Sequence, residues 1–154
     1  MTFLDRLSAK RQWTEEERLV LDQVTRVADE IIAPAAAGYD QSRDYPEDSM
    51  AALNELGMNA IFVPEIYGGA LMSYRLYLEC VSIISTACAS TGIIYATNFH
   101  GIKPLIDFGA EEQKLRLLPR IAEGGLGSLA ITESSAGSDA TGMKTRFTPD
   151  GDDI

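Results

Sequence analysis

The chain has 154 residues, 45% of them hydrophobic, and its 13 basic and 23 acidic side chains give a net charge of -10. A chain of this length forms about one domain and buries roughly 70% of its unfolded surface, which is enough for a real core. The basic residues are scattered, with no run longer than Lys10-Arg11. This distribution argues against nucleic acid as a partner.

The N-terminal segment, residues 1–13, lacks the uninterrupted apolar stretch of a secretory signal, because charged residues divide it. We therefore expect a cytoplasmic protein. Cys80 and Cys88 lie in an apolar stretch and are predicted to be buried thiols rather than a disulfide or a zinc site. The single histidine, His100, is predicted to pack or cap at a helix end, which disfavours a hydrolase triad.

Two helices are predicted in the first third of the chain. Thr14 followed by Glu15–Glu17 is an N-cap with an acidic first turn, and apolar residues recur at helical spacing up to Pro34. A second helix is expected from Pro46 to Gly57. The following segment, residues 62–69, contains a proline and paired glycines and is predicted to be a loop.

No charged residue occurs in the 23 residues from Cys80 to Ile102. This length would suffice to cross a bilayer, but the many hydroxyl and amide side chains and Gly92 favour a buried helical segment instead. We predict helices over residues 73–89 and 91–99, with small residues that permit close approach by a neighbouring helix or a ligand. Shorter helices are expected over residues 101–108 and 111–123.

The pattern changes after Gly124-Gly125. Residues 128–132 are predicted to form a buried strand that delivers the polar sequence T-E-S-S-A-G-S-D, which begins at Thr132 and carries hydroxyls beside a glycine. Residues 144–148 are predicted to be extended. They precede Pro149-Asp150-Gly151-Asp152, a hairpin signal whose returning strand lacks residues in this chain.

The sequence from Thr132 to Asp139, followed by Gly142, Lys144 and Thr145, resembles the flavin-binding signature of the acyl-CoA dehydrogenase family. Upstream residues resemble the family helix that precedes this motif, namely Gly109, Gln113-Lys114, Leu118-Pro119 and Ile121 to Gly124. The resemblance implies a mainly α fold, with an N-terminal helical domain over residues 1–125. Residues 126–154 would begin a truncated middle β-barrel-like domain.

The same resemblance implies FAD as the cofactor and assigns contacts with it to residues of the motif segment: Leu129, Ile131, Thr132, Gly137 and Ser138. Ser138 would also touch the substrate. No catalytic residue is expected in this chain, because the catalytic glutamate of the family lies in its C-terminal domain. Glu133 is interpreted as a structural residue, and Asp139 as an acceptor of main-chain N–H groups that fixes the loop. Ser134 stands where the family motif carries proline.

The chain is therefore interpreted as the N-terminal part of an FAD-dependent acyl-CoA dehydrogenase that is inactive alone. The resemblance implies an acyl-CoA thioester as substrate, an electron-transfer flavoprotein or similar acceptor, and a homo-oligomer in the full-length form. Candidates for the acyl pocket are Ile93, Ile94, Tyr95 and Phe99, although each taken singly is better explained as an ordinary core residue of a helix bundle. Two alternatives stay open: a non-catalytic interaction or dimerisation module of the same fold, and a fragment of a related flavin oxidase or monooxygenase.

Overall fold

The computed structural model describes residues 13–146 and residue 148. The predictions made for residues 1–12 and for the hairpin turn at residues 149–152 lie outside these described residues. Within them the protein is mainly helical, as the sequence predicts. Six α-helices account for most of the described chain: α1 Glu15–Val27, α2 Ala33–Ser42, α3 Glu47–Glu55, α4 Tyr74–Ala87, α5 Ala89–Phe108 and α6 Glu111–Ala122.

The start of α1 is fixed by a reciprocal capping box, which confirms the predicted N-cap. The Thr14 hydroxyl accepts a hydrogen bond from the Glu17 main-chain N–H at 3.1 Å, and the Glu17 carboxylate accepts the Thr14 N–H at 3.0 Å. The same carboxylate accepts the Ser73 hydroxyl at 2.9 Å. Because Ser73 caps α4, this contact ties the beginnings of two helices together.

The prediction that the first helix ends at Pro34 is wrong. A π-helical segment, Ala28–Ile32, joins α1 to α2, and the Ala33 N–H bonds to the Ala28 carbonyl five residues back. In a regular α-helix the ring of Pro34 would clash with the carbonyl of Glu30. The wider turn changes the hydrogen-bond register before the proline, which then occupies the first turn of α2, where no N–H is needed.

The segment between α2 and α4 follows the sequence signals closely. Helix α3 ends two residues before Gly57, whose φ of 72° is the left-handed conformation expected at a helix end. Residues 62–69 form the predicted loop, and Gly68 there has a φ of 86°. The loop is attached to α6 because the Tyr67 hydroxyl donates to the Glu111 carboxylate at 2.8 Å.

One continuous helix, α5, replaces the two helices predicted over residues 91–99 and 101–108. Cys88, with φ of -153°, separates it from α4. Gly101 lies within α5 and does not end it. The absence of a side chain at Gly101 allows residues 127–128 to approach the helix closely. His100 therefore lies within α5 and is exposed, not at a helix end. None of the helices in the described ranges is both long and apolar enough to cross a bilayer.

The core lies between α5 and the surrounding helices. Tyr95 and Ile102 of α5 are buried with residues from α4, α6 and the α3–α4 segment. The Tyr95 hydroxyl donates to the Met58 carbonyl at 3.3 Å, so the buried phenol is satisfied. Cys80 and Cys88 are buried free thiols, as predicted.

The strand predicted over residues 128–132 is absent from the described part of the chain, and the segment is not buried. Leu129 is 54% exposed and Ile131 is 43% exposed. A strand requires a neighbouring segment to receive its hydrogen bonds, and no described residues pair with this one. Residues 144–146 and 148 likewise lie outside any strand. The domain boundary after residue 125 stays a prediction.

The packing of α4 against α5 generates a stability test. A Cβ at Gly92 would lie 2.1 Å from the Ser85 Oγ and 2.7 Å from its Cα. We expect Gly92→Ala to lower the free energy of unfolding by about 1–3 kcal/mol in urea titrations, because the added methyl group would force α4 and α5 apart.

Gly38→Ala is the matched control, since Gly38 lies in α2 and a Cβ there would meet no atom within 4 Å. This change should raise the free energy of unfolding by about 0.5–1 kcal/mol through helix propensity alone. Equal effects of the two substitutions would contradict a close α4–α5 contact.

Candidate functional site

The polar segment after residue 131 forms a tight two-residue turn. The Glu133 N–H donates to the Ala136 carbonyl at 2.9 Å, and the Ala136 N–H donates to the Glu133 carbonyl at 3.3 Å. In the sequence, Thr132 and Gly137 flank this reciprocal pair, one on each side. Ala136 is 6% exposed, whereas the residues on either side of it are exposed. We call residues 132–139 the signature loop.

The signature loop presents unused hydrogen-bonding groups to solvent. Thr132, Gly137 and Ser138 are all exposed. Among the residues that the structure describes, none bonds to the hydroxyls of Thr132 and Ser138 or to the main-chain N–H groups of Gly137 and Ser138. A Cβ at Gly137 would meet no atom within 4 Å. A ligand therefore has open access to main-chain donors and hydroxyls on one turn.

Glu133 closes the signature loop onto the chain that follows it. Its carboxylate accepts the main-chain N–H of Lys144 at 2.8 Å and that of Thr145 at 2.7 Å. A hydrogen bond with the Thr145 side chain, together with these N–H groups, lowers the pKa of Glu133 below its ordinary value. These contacts agree with the expected structural role of Glu133.

Asp139 also has a structural place in the loop, but its partner differs from the one predicted. Its carboxylate accepts the Thr141 hydroxyl at 2.7 Å rather than a main-chain N–H. The main-chain carbonyl of Asp139, in turn, accepts the Gly142 N–H at 3.1 Å. The residue thus shapes the short 3-10 turn over Ala140–Gly142.

Two buried amides, absent from the sequence-based predictions, hold the segment that leads into the loop. Asn98 of α5 is 5% exposed and Asn59 is 2% exposed. The Asn98 amide donates to the Asn59 side-chain oxygen at 3.1 Å, and the Asn59 amide donates to the Gly125 carbonyl at 3.2 Å. The Gly127 N–H donates to the Asn98 oxygen. The sequence offers one signal for them, which is the presence of a polar amide, Asn98, in a segment that contains no Asp, Glu, Lys or Arg.

An apolar groove of about 360 Å³ runs along α4 and α5, lined by Tyr74, Tyr77, Leu78, Val81, Ala96, Phe99 and His100. Of the four acyl-pocket candidates, only Phe99 lines this groove. Tyr95 is buried in the core, Ile94 packs against the core, and Ile93 is 63% exposed away from the groove lining. The structure therefore separates residues that the sequence grouped together.

The helical fold and the signature loop define a domain type that comparison with known proteins identifies. Residues 14–125 match the family model described as "Acyl-CoA dehydrogenase, N-terminal domain". This match covers most of the chain, so the chain belongs to the acyl-CoA dehydrogenase family.

Individual relatives support the same assignment. The chain is 41% identical to the probable acyl-CoA dehydrogenase fadE25 of Mycobacterium leprae, over 90% of this chain and 36% of that protein. It is 39% identical to the probable acyl-CoA dehydrogenase YngJ of Bacillus subtilis, over 91% of this chain and 37% of that protein. Because these alignments extend over 140 and 142 residues of a 154-residue chain, both include the signature loop.

A solved structure with a similar fold is an acyl-CoA dehydrogenase from Bacillus anthracis, which was determined in complex with FAD. Its TM-score to this chain is 0.78 at 27% identity, over 86% of this chain and 23% of that protein. The chain thus spans little more than a third of the length of the curated relatives that it matches.

The contacts of Glu133 lead to a prediction about pH. A carboxylate whose pKa is lowered by folding stabilises the folded loop above its unfolded pKa, and this stabilisation is lost as pH falls through the folded pKa. Amide NMR shifts of Lys144 and Thr145 should therefore titrate together with a midpoint below 4.5, the ordinary value for a glutamate.

Glu133→Gln should abolish this titration and raise the hydrogen-exchange rates of both amides at neutral pH. Glu123→Gln, at an exposed carboxylate after α6, should leave both measurements unchanged. A midpoint at or above 4.5 in the unsubstituted chain would contradict the closed loop.

Proposed function

We propose that this chain supplies the helical lid and the first cofactor-contacting loop of an FAD-dependent acyl-CoA dehydrogenase, which converts acyl-CoA thioesters to trans-2-enoyl-CoA. The observation that carries the proposal is the signature loop, where a family motif presents exposed donors with no described protein partner. Membership in the acyl-CoA dehydrogenase family supports it. When bound, FAD supplies the hydride acceptor for the β-carbon of the substrate.

The donor set of the signature loop fits the polar parts of a flavin. In this proposal, the hydroxyl and main-chain groups of Thr132 bind the pyrimidine edge of the ring, where hydrogen bonds tune electron affinity. The N–H groups of Gly137 and Ser138 bind cofactor or substrate oxygens, and Ser138 also touches the thioester. Leu129 and Ile131, both substantially exposed, cover apolar ring surface.

The groove along α4 and α5 is the part of this chain best suited to an acyl group. Its lining is mainly apolar, and Phe99 contributes an aromatic face. Phe99 also stacks with Tyr77, with ring centroids 5.3 Å apart at an interplanar angle of 27°. A groove wall held by packed aromatic rings keeps its shape and excludes water from the substrate.

The remaining parts of the proposal concern the complete protein. A carboxylate outside this chain removes the α-proton, so the 154-residue chain alone is inactive. Electrons leave the reduced cofactor through an electron-transfer flavoprotein or a similar acceptor. The full-length protein is a homo-oligomer in the cytoplasm. A flavin oxidase or monooxygenase of the same fold would share the loop and differ in residues outside this chain.

A non-catalytic interaction module is the second candidate, favoured by exposed apolar side chains. Phe108 is 86% exposed and Leu126 is 55% exposed, so both would suit a protein partner. The flavin proposal accounts for more, because it explains the unpartnered hydroxyls of Thr132 and Ser138 as well as the apolar surface. A stable flavin-free complex with a partner would favour the module instead.

A chimera tests the proposal directly. The chain is placed before the remaining C-terminal portion of the Bacillus subtilis relative, and the unaltered relative is the control. We expect the chimera to purify yellow, to retain FAD and to dehydrogenate acyl-CoA. The isolated 154-residue chain should show no turnover. A chimera that folds but stays colourless after FAD loading, beside a yellow control, would refute the proposal.

The role of Thr132 is tested in the same chimera. Thr132→Val removes the hydroxyl at nearly constant volume and should weaken FAD binding about 2- to 10-fold, the effect of one lost hydrogen bond. It should also shift the flavin absorption bands. Thr25→Val, at an exposed position of α1, should change neither measurement. Unchanged FAD binding by the Thr132 variant would remove this residue from the cofactor site.

A further inference from the structure

The segment between α6 and the signature loop, residues 124–128, is held by side chains of distant elements. We call it the connector. The Gly127 N–H donates to Asn98, and the Gly125 carbonyl accepts from Asn59. Since the two asparagines also bond to one another, a single buried relay secures both a donor and an acceptor of the connector.

A second, independent contact lies beside this relay on α5. A Cβ at Gly101 would be 2.4 Å from the Ser128 nitrogen and 2.5 Å from the Gly127 carbonyl carbon. A Cβ at Gly127 would be 3.2 Å from the Ile102 Cγ1. The backbone of the connector therefore lies directly against the backbone of α5, and both its height along the helix and its distance from the helix are fixed.

The connector is the last fixed point before the signature loop. The Gly125 N–H bonds to the Arg120 carbonyl at 2.9 Å. Within the described part of the chain, no main-chain hydrogen bond then involves residues 128–132 until the Glu133–Ala136 bridge. The position of Thr132 relative to the helical domain thus depends on where residues 125–128 leave α5.

We propose that Asn98, together with Asn59 and Gly101, positions the signature loop for the cofactor, although none of the three is assigned a contact with the cofactor itself. The inference rests on the proposed FAD function. Asn98 acts through Gly127, and a rigid support for binding groups several residues away lowers the ordering cost of binding. Asn98 is a positioning residue, not a catalytic one.

The relay offers a substitution that separates positioning from stability. Removing one amide of a buried pair leaves the other unsatisfied, which destabilises the whole fold. Replacing both, in Asn59→Leu/Asn98→Leu, removes the two polar groups together and keeps the branched shape and the number of side-chain heavy atoms. The connector groups at Gly125 and Gly127, which are half-buried, then turn to water. We expect the double variant to keep its fold and to lose the hydrogen bonds that hold the connector, those to Gly125 and Gly127.

The first measurement uses the 154-residue chain and does not depend on flavin. In the double variant we expect the hydrogen exchange of the Gly127 amide to be at least about tenfold faster, because its hydrogen bond to the Asn98 side chain is lost. NMR order parameters of Glu133 and Ala136 should fall, while amides of α4 keep their protection. Thr97→Val, at an exposed residue beside Asn98, is the control. A change confined to Gly127, with the loop order parameters unaltered, would overturn the proposal.

The second measurement uses the chimera. With its urea midpoint close to that of the parent, the double variant should bind FAD about tenfold more weakly and show altered flavin circular dichroism, although Thr132 is unchanged. A parent chimera that binds no FAD would refute the proposed function. The order parameters of the 154-residue chain would still show whether Asn59 and Asn98 order the signature loop. A parent that binds FAD and a double variant that binds it equally well would overturn the positioning role alone.

Discussion

Direct backbone contact with α5 is the constraint on which the rest of the structure depends. Two glycines of this helix face different neighbours: Gly92 lies against Ser85 of α4, and Gly101 lies against residues 127–128. Side chains at either point would push the neighbours away. Because both approaches are made by one helix, α5 positions both the helical core and the connector that leads into the signature loop.

Features encoded by neighbouring residues could be predicted from the sequence. The capping box at Thr14, the left-handed Gly57 and helix α6 all follow from signals within a few positions of one another. The signature loop is predicted in the same way, since its residues are contiguous. Its exposure and its tight turn agree with the character of the motif.

Features decided by distant contacts could not be predicted. Pro34 and Gly101 have the local signature of helix ends, yet a π segment accommodates the first and the connector requires the second. The apolar residues 129–131 suggested a buried strand, but burial requires a pairing segment elsewhere. Asn59 and Asn98 are 39 positions apart, so their bond leaves no trace in either local pattern.

The location of Phe99 has a mechanical consequence. This groove residue lies next to Asn98 in α5, and the Asn98 side-chain oxygen accepts a hydrogen bond from the Gly127 N–H. Because a close-packed helix transmits strain, a molecule bound against Phe99 would act on the neighbouring Asn98. Occupancy of the groove is thereby coupled through α5 to the connector, which is the segment that leads into the signature loop.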